Sequence, residues 1–130
     1  MTARKRILII DDDAAVVALL VQKLARSAFD VLSTVDPHKA LGLAKSEQPD
    51  VVLCDIDMPG MNGGDVAAAL AADPETAHIP LIYLTSLVSP NEARDLGGQV
   101  GGRPGVSKRA PLAELVACIN AARPGAPGGH

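Results

Sequence analysis

Acidic residues close two of the apolar runs in this 130-residue chain. Ile7-Leu8-Ile9-Ile10 is followed by Asp11-Asp12-Asp13, and Val51-Val52-Leu53-Cys54 by Asp55. Two later runs also end in polar chemistry, Leu81–Leu84 in Thr85 and the short stretch around Val106 in Lys108. If these ends meet, carboxylates, a hydroxyl and an ammonium converge. Two carboxylates about 4 Å apart repel by roughly 4 kcal/mol at an effective dielectric of about 20. Such a group must raise a pKa or bind a cation. Carboxylate oxygens suit a hard cation, Mg2+ keeping several waters, better than a soft metal. A carboxylate beside Mg2+ and an ammonium is placed to act as a nucleophile on phosphorus, with the cations neutralising phosphoryl oxygens.

For those groups to meet, the runs that carry them must be neighbouring strands. Ile7–Ile10 and Val51–Cys54 are apolar without alternation, as strands buried on both faces are. Between them a helix is predicted over about 14–28, with Val16, Val17, Leu20 and Leu24 along one side and Asp13 as its N-cap. Val31–Val35 reads as a second strand, and Asp36-Pro37 opens a helix to about Glu47. A loop with Pro59, Gly60, Asn62 and Gly63 leads to a short alanine-rich helix over Asp65–Ala72. Leu81–Leu84 is a fourth strand. Ser89-Pro90-Asn91-Glu92 starts a helix that Gly97 and Gly98 end early. Gly97–Gly105 leaves room for only a brief strand near Val106. Pro111 opens the last helix, where Leu112, Leu115, Val116 and Ile119 share a face. Alternating strands and helices imply a parallel sheet covered on both faces, a doubly wound α/β sandwich. Ligands of such sheets bind off the carboxyl ends of the strands, where the acids, Thr85 and Lys108 stand.

Composition narrows the function. Hydrophobic residues make up 48% and charged residues 21%, so the chain can build one core and is not disordered. Lys+Arg 12 against Asp+Glu 15 gives a net charge of −3, the wrong sign for broad nucleic-acid attraction. Phe29 and Tyr83 are the only aromatic residues, too few for a base-stacking platform. The longest apolar run, Ala14–Val21, is too short to span a bilayer, and the basic start at Arg4-Lys5-Arg6 leads into no signal peptide. Cys54 and Cys118 have no metal spacing, and neither do His38, His78 and His130. These features predict a cytoplasmic domain over residues 1–122 and a flexible Pro/Gly-rich tail over 123–130, with no direct contact to nucleic acid or membrane.

Taken in order, Ile7–Asp13, Val51-Val52-Leu53-Cys54-Asp55-Ile56-Asp57-Met58-Pro59-Gly60-Met61-Asn62-Gly63, Thr85-Ser86 and Lys108 resemble the receiver domain of bacterial response regulators, over about Arg4 to Ala122. The most specific piece is Asp55…Met58-Pro59…Gly63; the others are weak alone and strong as an ordered set. The resemblance implies a flavodoxin-like fold, five parallel strands in the order 2-1-3-4-5 with five helices. It implies that Asp55 accepts a phosphoryl group from a phosphohistidine on a sensor kinase or phosphotransfer protein. By the same resemblance, Asp11, Asp12, Asp55 and the backbone carbonyl of Asp57 hold Mg2+, Asp12 more directly than Asp11. Lys108 pairs with the phosphoryl oxygens, and Thr85 donates its hydroxyl to them. The chain would catalyse its own phosphorylation and slow dephosphorylation, and signal through an output protein.

Three departures stand against the family pattern. Arg109 follows Lys108 where the family has Pro, often in a cis bond. Gly105 takes the place of an aromatic that swings inward on activation, so no ring is available to swing. Gly97–Gly105 shortens the fourth helix and fifth strand, a face that the family uses for output. A degenerate receiver, binding partners independently of phosphate, is therefore the competing reading. A third is an aspartyl-phosphate hydrolase, from the DxD spacing of Asp55-Ile56-Asp57; in those phosphatases the motif ends the first strand rather than the third. Cys54 should point into the core, opposite to Asp55, and Leu87 is positioned to restrict water near the phosphoryl group.

Overall fold

The computed structural model describes residues 4–85, 99–100 and 103–125. Its strands are β1 (Arg6–Ile10), β2 (Asp30–Thr34), β3 (Val51–Asp55), β4 (Leu81–Thr85), β5 (Gln99–Val100) and β6 (Arg103–Ser107). The helices among the described residues are α1 (Ala14–Arg26), α2 (Ala40–Glu47), α3 (Gly63–Ala72) and α4 (Leu112–Ala121), with a 3-10 turn at Pro37–Lys39. The sheet order is β2-β1-β3-β4-β6-β5. The first five are parallel, and β5 is added to β6 as an antiparallel ribbon. Counting parallel strands alone, this is the 2-1-3-4-5 order of the flavodoxin-like fold.

Strand alternation divides the core between the two faces. Leu8, Ile10, Val52, Cys54, Leu81 and Tyr83 pack with residues of α2 and α3. Ile7, Ile9, Val51, Leu53, Ile82 and Leu84 pack with Val17 and Leu24 of α1 and Leu115 and Ile119 of α4. Every residue of β3 and β4 is buried, which accounts for their unbroken apolar sequences. Cys54 thus faces the core opposite to Asp55.

Several boundaries differ from the sequence expectation for local reasons. Helix α1 ends at Arg26 because Ala28 takes φ 69. Phe29 N–H donates to Leu24 O and Ala28 N–H to Ala25 O, a Schellman ending without its usual glycine. Strand β2 stops before Val35 because the Thr34 hydroxyl accepts from Asp36 N–H at 3.1 Å and turns the chain. Asp36 caps the 3-10 turn, and α2 proper begins only at Ala40. Pro111 is the N-cap of α4 rather than its first residue. The glycine-rich stretch forms more strand than its composition predicted, with β6 running over Arg103–Ser107. The helix expected from Ser89, which would be the fifth, and Leu87 lie outside the described residues. Beyond α4, Gly125 N–H donates to His78 O at 2.9 Å. No helix among the described residues is long and apolar enough to cross a membrane.

Helix α3 begins at Gly63, two residues earlier than predicted. Asn62 and Asp65 form a reciprocal capping box, and Gly63 N–H donates to Ile56 O at 2.7 Å. A Cβ on Gly63 would stand 2.5 Å from Asp55 O and 3.0 Å from Ile56 Cα, both backbone atoms that cannot step aside. This close approach ties the start of α3 to the end of β3. Gly63→Ala should destabilise the fold by about 1–3 kcal/mol through overpacking. At Gly42, exposed in α2, a Cβ meets nothing within 4 Å, so Gly42→Ala should stabilise by about 0.5–1 kcal/mol. Urea unfolding midpoints moving in opposite directions would bear this out; a neutral Gly63→Ala would refute the close-approach argument.

Candidate functional site

Asp11 directly follows β1, where its N–H continues the ladder to Thr34 O. Its side chain is fully buried, and Oδ1 accepts from Asp13 N–H at 2.9 Å. That bond turns the chain so that Asp13 caps α1, its Oδ1 accepting from Ala15 and Val16 N–H. Asp12, between them, is exposed. Asp55 is the last residue of β3 and only 6% exposed. Thr85 ends β4 and is buried, and its carbonyl accepts from Lys108 N–H at 2.8 Å. Lys108 directly follows β6. The carboxyl ends of four parallel strands thus bring Asp11, Asp12, Asp55, Thr85 and Lys108 to one edge of the sheet.

Lys108 is the centre of this arrangement. Its Nζ lies 2.7 Å from Asp11 Oδ2 and 3.1 Å from Asp55 Oδ1. Its stem lines a small apolar groove with Leu84 of β4, Leu20 of α1 and Leu112 and Leu115 of α4. The methylenes are therefore covered while the ammonium reaches the acids. Burial works against charge on Lys108, but hydrogen bonding to Asp11 and Asp55 outweighs it, and the pKa stands above the ordinary 10.5. Asp55 is shifted upward, first by burial; Lys108 opposes the shift, while Asp11 and Asp12 add to it. The lysine therefore offsets the stress on Asp55 only in part. Burial, with Asp55 and Asp11 nearby, pushes the Cys54 thiol to about 12, which leaves it protonated and unreactive at neutral pH.

One carboxylate oxygen each from Asp11, Asp12 and Asp55 lie within 4.8 Å of one another. Asp11 Oδ2 is buried, and its polar contact is the Lys108 ammonium at 2.7 Å. Two buried acids and one exposed one form a donor set of oxygen only, open to solvent at Asp12. That chemistry fits a hard divalent cation. Asp57 is exposed in the loop after β3. Gly105 is buried in β6 directly opposite Tyr83. Among the described residues no peptide bond is cis, so the Lys108–Arg109 bond is trans. Two residues that the sequence reading passed over belong to the frame of the site. Ser107 precedes Lys108, and its Oγ accepts from Arg109 N–H. Tyr83 borders Gly63, lying 3.2 Å from where a Cβ would be. A serine two residues before a non-proline residue at a strand end is a readable turn signal; the role of Tyr83 needs the fold.

Fold and site together define a doubly wound α/β protein with an acidic, lysine-bridged pocket at the carboxyl edge of its sheet. The family of response regulator receiver domains matches residues 7–120, and the chain belongs to that family, as the receiver domain of a two-component response regulator. Response regulator PleD of Caulobacter vibrioides is 43% identical over 82 residues, covering 63% of this chain but only 18% of PleD. Protein PilH of Pseudomonas aeruginosa is 35% identical over 116 residues, covering 89% of this chain and 95% of PilH. Among solved structures, the receiver domain of the sensor histidine kinase PA1611 from Pseudomonas aeruginosa superposes with TM-score 0.75 at 21% identity, over 91% of this chain and 96% of that one.

The charge balance predicts a pH dependence. Because the folded pKa of Asp55 lies above its ordinary 3.8, the native state holds a proton there that the unfolded chain has released. Stability therefore falls as pH rises from 3.8 through the folded pKa, and stays lowered above it. Asp55→Asn should raise the melting temperature at pH 7, with the gain shrinking toward zero as pH falls below 3.8. Lys108, also shifted upward, keeps its contribution until pH rises beyond 10.5. Calorimetry of both proteins across pH 3–8 checks the sign; a variant less stable than native at pH 7 would contradict it.

Proposed function

We propose that Asp55 accepts a phosphoryl group from a phosphohistidine of a sensor histidine kinase or phosphotransfer protein. The observation that carries this is the Asp55 carboxylate, buried at the end of β3 and held 3.1 Å from the Lys108 ammonium beside Asp11. An Asp55 carboxylate oxygen attacks phosphorus as the P–N bond breaks. The electron pair of that bond passes to the imidazole nitrogen, and the product is an aspartyl phosphate. Lys108 pairs with the phosphoryl oxygens and stabilises the charge they carry. Thr85, buried at the end of the neighbouring strand, would donate its hydroxyl to the same oxygens. Slow hydrolysis, in which water attacks phosphorus and phosphate leaves, restores the carboxylate.

Asp11, Asp12, Asp55 and the backbone carbonyl of Asp57 would hold Mg2+. When bound, the ion supplies Lewis-acid neutralisation of the phosphoryl oxygens. The PA1611 receiver domain carries a magnesium ion coordinated in its active site cleft; for this chain the ion is inferred from the oxygen donors. Output would pass through protein contacts in the cytoplasm, without binding nucleic acid or membrane. A phosphate-independent binding module is the second reading, favoured by Gly105, which leaves β6 no ring at the position opposite Tyr83.

Incubation with acetyl phosphate and Mg2+, followed by intact mass, should give a single phosphoryl adduct. It should be absent without Mg2+ and absent in Asp55→Asn. No adduct on the folded native protein would move the reading to the binding module. Mg2+ alone should also raise the melting temperature, by about 1–3 kcal/mol of stabilisation at saturating ion. Asp12→Asn should lose most of that increase, and an unchanged response would remove Asp12 from the ion site.

A further inference from the structure

The segment Ser107–Ala110 carries the lysine of the site, and it is fixed on both sides of Lys108. Upstream, Lys108 N–H donates to Thr85 O at 2.8 Å, which anchors the peptide before the residue. Downstream, Arg109 N–H donates to Ser107 Oγ at 3.1 Å, and Ala110 N–H to Ser107 O at 3.0 Å. Ser107 is 3% exposed and pairs in register with Thr85. The Arg109 N–H belongs to the peptide plane that follows Lys108. Holding it sets the ψ of Lys108, just as the bond to Thr85 holds the plane that sets its φ. With both planes held, the direction of the Cα–Cβ bond is fixed, and the long side chain starts on a course to Asp11 and Asp55.

We propose that Ser107 is a positioning residue: its hydroxyl oxygen, by holding the Arg109 N–H, aims the Lys108 ammonium at the carboxylates of Asp55 and Asp11. The device needs a residue with an N–H after the lysine. Proline has none, so Arg109 is part of the mechanism and not only a departure. A serine oxygen bonding the N–H two residues on is a recognised local turn. Here the acceptor Ser107 is buried while Arg109 is exposed, and the central residue of the turn is the functional one. The consequence for function rests on the phosphoacceptor reading above, because a lysine aimed wrongly by a fraction of an ångström neutralises the phosphoryl oxygens less well.

Two measurements test this, one independent of phosphorylation. By amide hydrogen exchange, Ser107→Ala should speed exchange at Arg109 about fivefold, the size expected for one lost hydrogen bond, while the amides of β1 and β3 keep native protection. No protection of the Arg109 amide in the native protein would overturn the proposal. By intact mass with acetyl phosphate and Mg2+, Ser107→Ala should lower the initial rate of adduct formation about tenfold. Ser107→Thr, which keeps the acceptor, should restore it to within about twofold. Ser107→Cys, nearly isosteric with a poor acceptor, should show the same loss and serves if alanine loosens the strand end. In a Lys108→Ala background, Ser107→Ala should change nothing, because the serine acts only through the lysine. An equal loss in that background, or a native rate in both Ser107→Ala and Ser107→Cys, would overturn it. A native protein that forms no adduct would instead sink the phosphoacceptor reading, and with it the functional consequence; the exchange result still decides the geometry.

Discussion

The ammonium of Lys108 stands between two carboxylates that the fold withdraws from water, and the rest of the site is arranged around that contact. Asp11 and Asp55 arise from adjacent strands, β1 and β3, whose apolar residues leave no option but burial. Their counter-ion comes from the far side of β4. Two strand spacings, about 10 Å, separate β6 from β3, so the residue bridging them must be long. It must also begin from a fixed backbone, which the bonds at Thr85 and Ser107 provide. The balance is deliberately incomplete in physical terms. Asp55 remains shifted upward despite the lysine, so any added positive charge at the Asp11–Asp12–Asp55 oxygens relieves the site. That burial, with Asp11 close by, favours a cation and makes Asp55 a charged oxygen with little solvation to lose.

Much of this was legible before any coordinates. Unbroken apolar runs such as Val51–Cys54 identify strands covered on both faces, and in a parallel sheet all such strands end on one edge. The residue that ends each run is therefore a candidate for the site, which is how Asp11, Asp55, Thr85 and Lys108 come together on paper. Asp13 could be read as a helix cap because cap chemistry is local. What escaped was either non-local or lacked its usual marker. The end of α1 carries Ala28 in a left-handed conformation where a glycine would have advertised it. The start of α3 depends on how closely its backbone meets Asp55 O. The β5–β6 ribbon arises in a stretch whose glycines predicted little strand at all.

The departures from the family pattern also look different once placed. Without proline after Lys108, the turn keeps an N–H, and Ser107 uses it. Without an aromatic at Gly105, the buried ring of this part of the sheet is Tyr83, on the neighbouring strand and against the start of α3. In both cases a missing side chain is matched by a backbone group or by the cross-strand partner. Tyr83, two residues before Thr85 on β4, thus borders the start of α3.

The placement of Asp11 and Lys108 at nearly opposite ends of the chain has a consequence for how the protein is made. Parallel pairing already ties the assembly of the sheet to contacts distant in sequence, which slows folding. During synthesis both acids emerge before their counter-ion, which lies at the end of the last parallel strand. Until then, closing β1 on β3 means burying like charges with nothing between them. The arrival of β6 and α4 completes the sheet and brings the Lys108 ammonium between the two acids.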